Sequence, residues 1–156
     1  MALEIVSYKA EHALEIIKGK SKEPVLKLNE QAEKWAKYLE TSGPAITGLW
    51  NGILLASGGL MFNGPYPGVA EAWCLFSQET NQVEILARML FAEECKRILH
   101  EWIEEYQLVR IEANLYAEQP ANIQFVKVLG LEFESIKPKY YFGGKTGVMY
   151  VKIIER

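Results

Sequence analysis

Glu71 is the only charged residue in the run VAEAWCLF, Val69 to Phe76, whose other positions are all apolar. A carboxyl group among apolar neighbours has its charged form destabilised. That moves its pKa up toward the range where it can take a proton near neutral pH. The same residue close to a strand end would simply face water, and both readings stand. Tyr116, Tyr140 and Tyr141 are phenols that could donate a proton; each is equally at home as a packing residue. Cys74 could act as a nucleophile only as a thiolate, and nothing beside it in the sequence would lower its pKa. Two histidines, His12 and His100, and no paired-cysteine motif make a structural zinc site improbable, and no metal is expected.

The elements that must position these groups are clearest from Val109 to Phe133. Val109, Ile111, Ala113 and Leu115 alternate with Arg110, Glu112, Asn114 and Tyr116, which is strand periodicity. Pro120 suits the first turn of a helix, where its missing N–H would be unpaired anyway. Ile123, Phe125, Val126 and Leu129 supply that helix's apolar positions, and Gly130 fits a left-handed C-terminal cap. Upstream, Val83 to about Tyr106 is the longest helix, with Ala87, Leu90, Phe91, Cys95, Ile98 and Trp102 as its inner stripe. Its outer face carries Glu84, Arg88, Glu93, Lys96, Arg97, Glu101 and Glu104. Pairs Glu84–Arg88 and Glu93–Arg97 would add ~0.2–0.5 kcal/mol each. Strand, long helix and strand over residues 69–116 then form a right-handed crossover between parallel strands.

The remaining elements complete the order. Ala2 to Ser7 alternates as a short strand, and Glu11 to Lys18 reads as a helix followed by a loop, Gly19 to Pro24. Asn29 caps a second helix, with Ala32, Trp35, Ala36 and Leu39 at helical spacing, which Gly43-Pro44 ends. Ala45 to Trp50 and Ile53 to Met61 flank Asn51-Gly52, a strong hairpin signal because both turn positions need positive φ. Asn63 to Gly68 (NGPYPG) and Ser77 to Asn81 read as loops. Leu131 to Ile136 and Gly147 to Ile154 are the last strands, joined by a loop holding Tyr140, Tyr141 and Gly143-Gly144. The order β-α-α-β-β-β-α-β-α-β-β predicts an α/β fold, a mixed sheet with helices on both faces.

Size and composition set the outer bounds. The 156 residues suit a single domain, 1–156, with a real core. Apolar residues make up 49% and charged residues 24%, ordinary for a globular protein in water. The net charge is −3 with no dense basic run, which argues against nucleic acid as a partner. No apolar stretch reaches the length of a membrane span. MALEIVSYKAEH lacks the basic-then-apolar pattern of a signal peptide, so a cytoplasmic protein is expected. Cys74 and Cys95 then read as buried free thiols in a reducing compartment.

The element order resembles the GNAT (Gcn5-related N-acetyltransferase) fold over almost the whole chain. PANIQFVKVLGLEFES at residues 120–135 is similar to that family's short helix, Leu-Gly-aromatic turn and strand. VAEAWCLFS is similar to its fourth strand. GGKTGVMYVKI and the run AEAWCLFS also resemble GNAT-like proteins encoded by tailed phages. The resemblance implies acetyl-CoA as co-substrate, held where the fourth and fifth strands splay apart. Pantetheine amides would there pair with backbone groups of Trp73, Cys74, Leu75 and Phe76 like an added strand. It implies pyrophosphate at the start of the long helix near Gln82, Val83 and Glu84, where free N–H groups favour anions. Arg88 would add a side-chain donor, and Asn114, Gln119 and Asn122 would lie along the remaining cofactor contacts, Gln119 and Asn122 equally reading as caps at the short helix's start. It further implies direct attack by an amine, with Glu71 taking a proton through water and Tyr116 or Tyr141 as candidate acid. The acceptor would be a small-molecule or peptide amine, and an aromatic C-terminal strand could pair across a homodimer.

Two departures from the family pattern are visible. The usual glycine-rich turn before the long helix is missing: its two glycine positions hold Glu84 and Leu86, and SQETNQVEIL has no glycine. The position four before Gly130, where many members carry a tyrosine acid, is Val126. The alternative expectation is a catalytically degenerate GNAT-fold component of phage assembly or of the virion. In a phage-encoded protein the location would be the host cytoplasm or the virion.

Overall fold

The computed structural model describes residues 3–19, 28–62 and 64–156. Ala2 of the first expected strand, residues 20–24 of the first expected loop, and Asn63 of the NGPYPG loop lie outside the described residues. The elements run β1 (Leu3–Ser7), α1 (Ala10–Lys18), α2 (Glu30–Thr41), β2 (Ala45–Trp50), β3 (Ile53–Met61), β4 (Val69–Phe76), α3 (Ile85–Glu105), β5 (Arg110–Tyr116), α4 (Pro120–Val128), β6 (Glu132–Tyr141) and β7 (Lys145–Ile153). This is the expected order. The strands form one seven-stranded mixed sheet, β1-β2-β3-β4-β5-β7-β6. The chain divides into two compact units, Met1–Met61 with Trp73–Phe91 and Phe62–Ala72 with Ala92–Arg156.

In the first unit, the Asn29 side chain accepts from the Ala32 N–H at 2.8 Å, capping α2 as its type and position predict. Asn51 and Gly52 have φ of 49° and 80°, the positive values a tight hairpin turn requires. They set the antiparallel register Trp50↔Ile53. The core gathers Ala13, Ile16 and Ile17 of α1, Ala36 and Leu39 of α2, Leu54 and Met61 of β3, and Leu75 of β4. Tyr8 is buried there, and its hydroxyl donates to the Ala36 carbonyl at 2.9 Å. Buried Thr47 and Ser57 satisfy each other at 2.7 Å, and Thr47 also reaches His12 Nδ1 at 2.8 Å. The Tyr8, Thr47 and Ser57 hydroxyls in this unit are therefore paired rather than stranded.

In the second unit, β4 and β5 are parallel from Val69↔Arg110 to Ala72↔Ala113, as the crossover predicts. β7 lies antiparallel between β5 and β6. Helix α4 ends as Gly130 foretold. Gly130 has φ of 91°, its N–H donates to the Lys127 carbonyl at 3.0 Å, and the Leu131 N–H donates to the Val126 carbonyl at 3.0 Å. Those two bonds are the Schellman pattern. At the end of α3, the Arg156 guanidinium donates to the Ile103 and Leu108 carbonyls at 2.8 and 2.9 Å. It thereby satisfies backbone acceptors at and just beyond the helix end.

Several local expectations need correction. Residues 78–81 form a 3-10 turn, not an open loop. The Ser77 side chain starts it by accepting from the Glu79 N–H at 3.2 Å. Tyr140 and Tyr141 belong to β6, because that strand runs to Tyr141 before a short turn at Phe142–Gly144. The ion pairs on α3 also differ. Arg97 pairs with Glu94 at 2.9 Å and with Glu101, while the expected Glu84–Arg88 and Glu93–Arg97 pairs do not form among the described residues. Arg97 has carboxylates one turn away in both directions and takes the two that reach it. Leu99 and Ile103 join Ala87, Phe91 and Ile98 among the buried residues of α3, whereas Leu90, Cys95 and Trp102 are half-buried.

Candidate active site on strands 4 and 5

Register decides which side chains meet in the second unit. Glu71 of β4 lies opposite Glu112 of β5 in the parallel ladder. Opposed residues share a face, and Arg110 and Asn114, two positions either side of Glu112, share it too. The Asn114 amide donates to Glu71 Oε1 at 3.0 Å. The Glu112 carboxylate accepts from Arg110 Nε at 2.8 Å. The other end of Arg110 forks onto Glu134 of β6 at 2.6 and 3.0 Å. These bonds, chiefly the one to Glu134, hold the Arg110 guanidinium firmly protonated. Arg110 in turn holds the Glu134 carboxyl below the usual carboxylate range. The Asn114 side-chain oxygen is buried without a hydrogen-bond partner among the described residues.

The aromatic residues sort into two roles. Tyr140 is pushed above its ordinary pKa by burial first and then by the charges of Glu71 and Glu112, so both carboxylates act on one phenol. The Lys137 ammonium sits 4.6 Å from the centre of the Tyr140 ring, a cation–π contact. Tyr116 is 4% exposed, and its hydroxyl donates to Glu118 at 2.8 Å. That bond is the main cause of its raised pKa. Its ring stands edge-on to Tyr141 at 6.1 Å, and Tyr141 stands edge-on to Tyr140 at 5.0 Å. The arrangement commits the Tyr116 proton to Glu118 and packs Tyr141 between two rings. Gln119 sits at the N-cap of α4 with no side-chain capping bond, and Asn122 is buried at 5% exposure.

The first unit carries the remaining expected residues. β4 continues from Ala72 through Trp73, Cys74, Leu75 and Phe76. Leu75 is in the core. The Trp73 ring packs edge-on against Tyr8 at 5.1 Å and Trp35 at 6.0 Å, and its buried indole nitrogen has no hydrogen-bond partner among the described residues. Phe76 meets Phe91 edge-on at 6.5 Å. Beyond β4, the Ser77 N–H and the Thr80 hydroxyl both donate to the Leu55 carbonyl at 2.8 Å, tying the 3-10 turn to β3. The Gln82 N–H is used in that turn, donating to the Glu79 carbonyl at 2.9 Å. Val83 is buried; Gln82, Glu84 and Arg88 are exposed.

The first turns of α3 have an unexpected surface. Ile85, Leu86 and Met89 are 66%, 50% and 61% exposed. The N–H groups of residues 85–87 precede the first helical bond, from Arg88 N–H to the Glu84 carbonyl. A carboxylate and three apolar side chains therefore surround the end that the helix dipole makes attractive to anions. Cys95, further along, has its thiol pushed up to about 12 by burial and then by Glu94, which disfavours the thiolate.

Sequence reasoning found Glu71 and Asn114 but not the bond between them. It also missed Glu112, Arg110 and Glu134. Their alternation in β5 and β6 was readable; the register that sets Glu112 beside Glu71 was not. Among the described residues, no group of three or more His, Cys, Asp or Glu side chains is placed to hold a metal ion, and no helix is long and apolar enough to cross a membrane.

The architecture is that of the GNAT acetyltransferases. The ribosomal-protein-S18-alanine N-acetyltransferase of Escherichia coli superposes with a TM-score of 0.72 over 99% of this chain and 96% of its own, at 16% identity. A GNAT-family acetyltransferase of Bacillus anthracis gives 0.67 over 98% and 95%, at 14% identity. The ribosomal L7/L12 alpha-N-protein acetyltransferase in complex with coenzyme A gives 0.70 over 99% and 95%, at 10% identity. No family profile matches the sequence, and no curated protein matches it.

Proposed function

We infer that the protein is an acetyl-CoA-dependent N-acetyltransferase acting on an amine by direct attack. The observation that carries this reading is the GNAT architecture itself, with β4 running from Val69 to Phe76 and set parallel to β5 from Val69↔Arg110 to Ala72↔Ala113. The pantetheine amides would lie along the backbone of Trp73 to Phe76 in the manner of an added strand. Glu71, two residues before Trp73 on the same strand, is the base. Asn114 orients it by donating to one carboxylate oxygen, and a water relays the proton from the amine to the carboxylate. The amine nitrogen bonds to the thioester carbonyl carbon and the C–S bond breaks. Its surplus proton passes through the water to Glu71, and the thiolate leaves with a proton from solvent. Backbone N–H groups of β4 face the developing oxyanion.

The acceptor is a small molecule or peptide carrying a cationic amine. Glu71 and Glu112 lie side by side and Tyr140 already holds one ammonium, that of Lys137. Turnover is expected on a panel of polyamines and lysine-like amines, followed as thiol release. Glu71→Gln lowers kcat by about a hundredfold, the scale of a lost general base, with KM for acetyl-CoA unchanged. Full activity in Glu71→Gln removes Glu71 from the mechanism.

A second reading draws support from α3. Its start offers Glu84, Ile85, Leu86 and Met89 where a pyrophosphate would lie, with Arg88, Gln78 and Asn81 as side-chain donors. A GNAT-fold protein that binds CoA weakly and serves as a phage assembly or virion component fits that surface. Acetyl-CoA binding without turnover on the whole amine panel favours it.

A further inference from the structure

The strand order ends β5-β7-β6, so β7 is paired on both sides and β6 on one. The C-terminal strand is therefore enclosed and cannot pair across a dimer. β6 holds the free row of backbone N–H and C=O groups instead. Proteins commonly blunt such edges, and the second half of β6 is blunted. Pro138 has no N–H to give, Lys139 turns to φ of 55°, and the ladder to β7 jumps from Lys137↔Gly147 to Tyr141↔Lys145. Residues 132–137 carry neither a proline nor a left-handed residue. Within them Phe133 and Ile136 stand 54% and 62% exposed, two large apolar side chains left in water.

The one irregularity of this segment is a bulge, and it sets the faces. Phe133 pairs with Tyr150 and Ser135 with the adjacent Met149, so Glu134 is an extra residue. In a regular strand Phe133 and Ile136 would point to opposite faces. With the extra residue they lie opposite Tyr150 and Val148, alternate positions of β7, and share a face. The Phe133 ring stands edge-on to Tyr150 at 5.9 Å. Glu132 and Lys137 lie opposite Val151 and Gly147, so they share the other face. Among the described residues no ion pair involves either of them, Lys137 resting on the Tyr140 ring, whereas Glu134 is held by Arg110. A second copy run antiparallel beside this segment sets Glu132 opposite Lys137 and Phe133 opposite Ile136, and the two-fold axis repeats both contacts. A parallel, in-register copy would set Glu132 against Glu132 and Lys137 against Lys137. The charges therefore select the antiparallel arrangement.

We propose that β6 is the seam of a two-fold homodimer, its residues 132–137 pairing antiparallel with the same residues of a second copy. The blunted stretch beyond Lys137 keeps the ladder short, so the dimer dissociates on dilution. Sedimentation velocity of the full chain across a concentration series shows a monomer–dimer equilibrium. Glu132→Lys and Lys137→Glu each bring like charges together twice per dimer and weaken association about tenfold. Combining Glu132→Lys with Lys137→Glu restores the opposite-charge pairs and returns association to the wild-type level. In a mixture of isotope-labelled and unlabelled chains, intermolecular NOEs connect Phe133 with Ile136. A chain that stays monomeric at every concentration, which would leave the edge to a foreign extended peptide, overturns the proposal. So does a species larger than a dimer, a set of intermolecular contacts confined to other residues, or a double variant that associates no better than the single ones. None of these readouts depends on acetyl-CoA or on the acyl-transfer reading.

Discussion

Asn114 is the residue that most sharply links geometry to mechanism. Its amide donates to one oxygen of Glu71 at 3.0 Å, and its own buried oxygen has no hydrogen-bond partner among the described residues. Asn114→Ala removes the orienting bond while leaving the carboxylate in place. Turnover should fall about tenfold, one contact's worth of positioning, with KM for acetyl-CoA unchanged, as steady-state thiol release would show. A drop in acetyl-CoA affinity with constant kcat would place Asn114 in cofactor binding instead. Glu134 makes a pH prediction. Its folded pKa lies below its ordinary value because of Arg110. The unfolded chain therefore binds the extra proton first, and the contribution of Glu134 is present above the ordinary carboxylate range and lost as pH falls through its depressed pKa. Urea melts of wild type and Glu134→Gln should differ near neutrality and converge in acid, at pH values below about 4. A gap that widens in acid contradicts this assignment.

At the scale of elements, legibility tracked the locality of the signal. The Asn29 cap, the Asn51-Gly52 hairpin and the Gly130 stop are decided within four or five residues, and each stands where its residue types placed it. Tyr140 and Tyr141 read as loop in the sequence because they stand beside Gly143-Gly144, which is turn punctuation. Pairing with β7, which no local pattern reveals, extends β6 to Tyr141. The ion pairs of α3 failed for a related reason: spacing offers Arg97 several acids, and rotamers choose among them. Gly130 yields the element-scale test. At φ of 91°, an alanine would be forced into a left-handed conformation and would displace the Lys152 ammonium. Gly130→Ala should lower stability by about 1 kcal/mol, read as a shifted denaturation midpoint at constant slope. An unchanged midpoint would mean that the turn relaxes to negative φ.

For the whole molecule, the order of elements was readable and the order of strands only partly so. The crossover from β4 to β5 follows from a strand, a long helix and a strand. The insertion of β7 between β5 and β6 depends on contacts between residues far apart in sequence. The candidate site shared that fate. Its strand-borne residues were visible one at a time, and the register that brings Glu71, Glu112 and Asn114 onto one face was not. The start of α3 carries no glycine in the sequence, and the structure adds the exposed Ile85, Leu86 and Met89 there. That end of the helix bears directly on whether the fold still serves its chemistry. The decisive measurement is calorimetric titration of acetyl-CoA into the full chain, with a thermal melt at saturating ligand. Saturable binding at one site per chain, with a raised melting temperature, is the expected result. No heat and no thermal shift would contradict the acyl-transfer account.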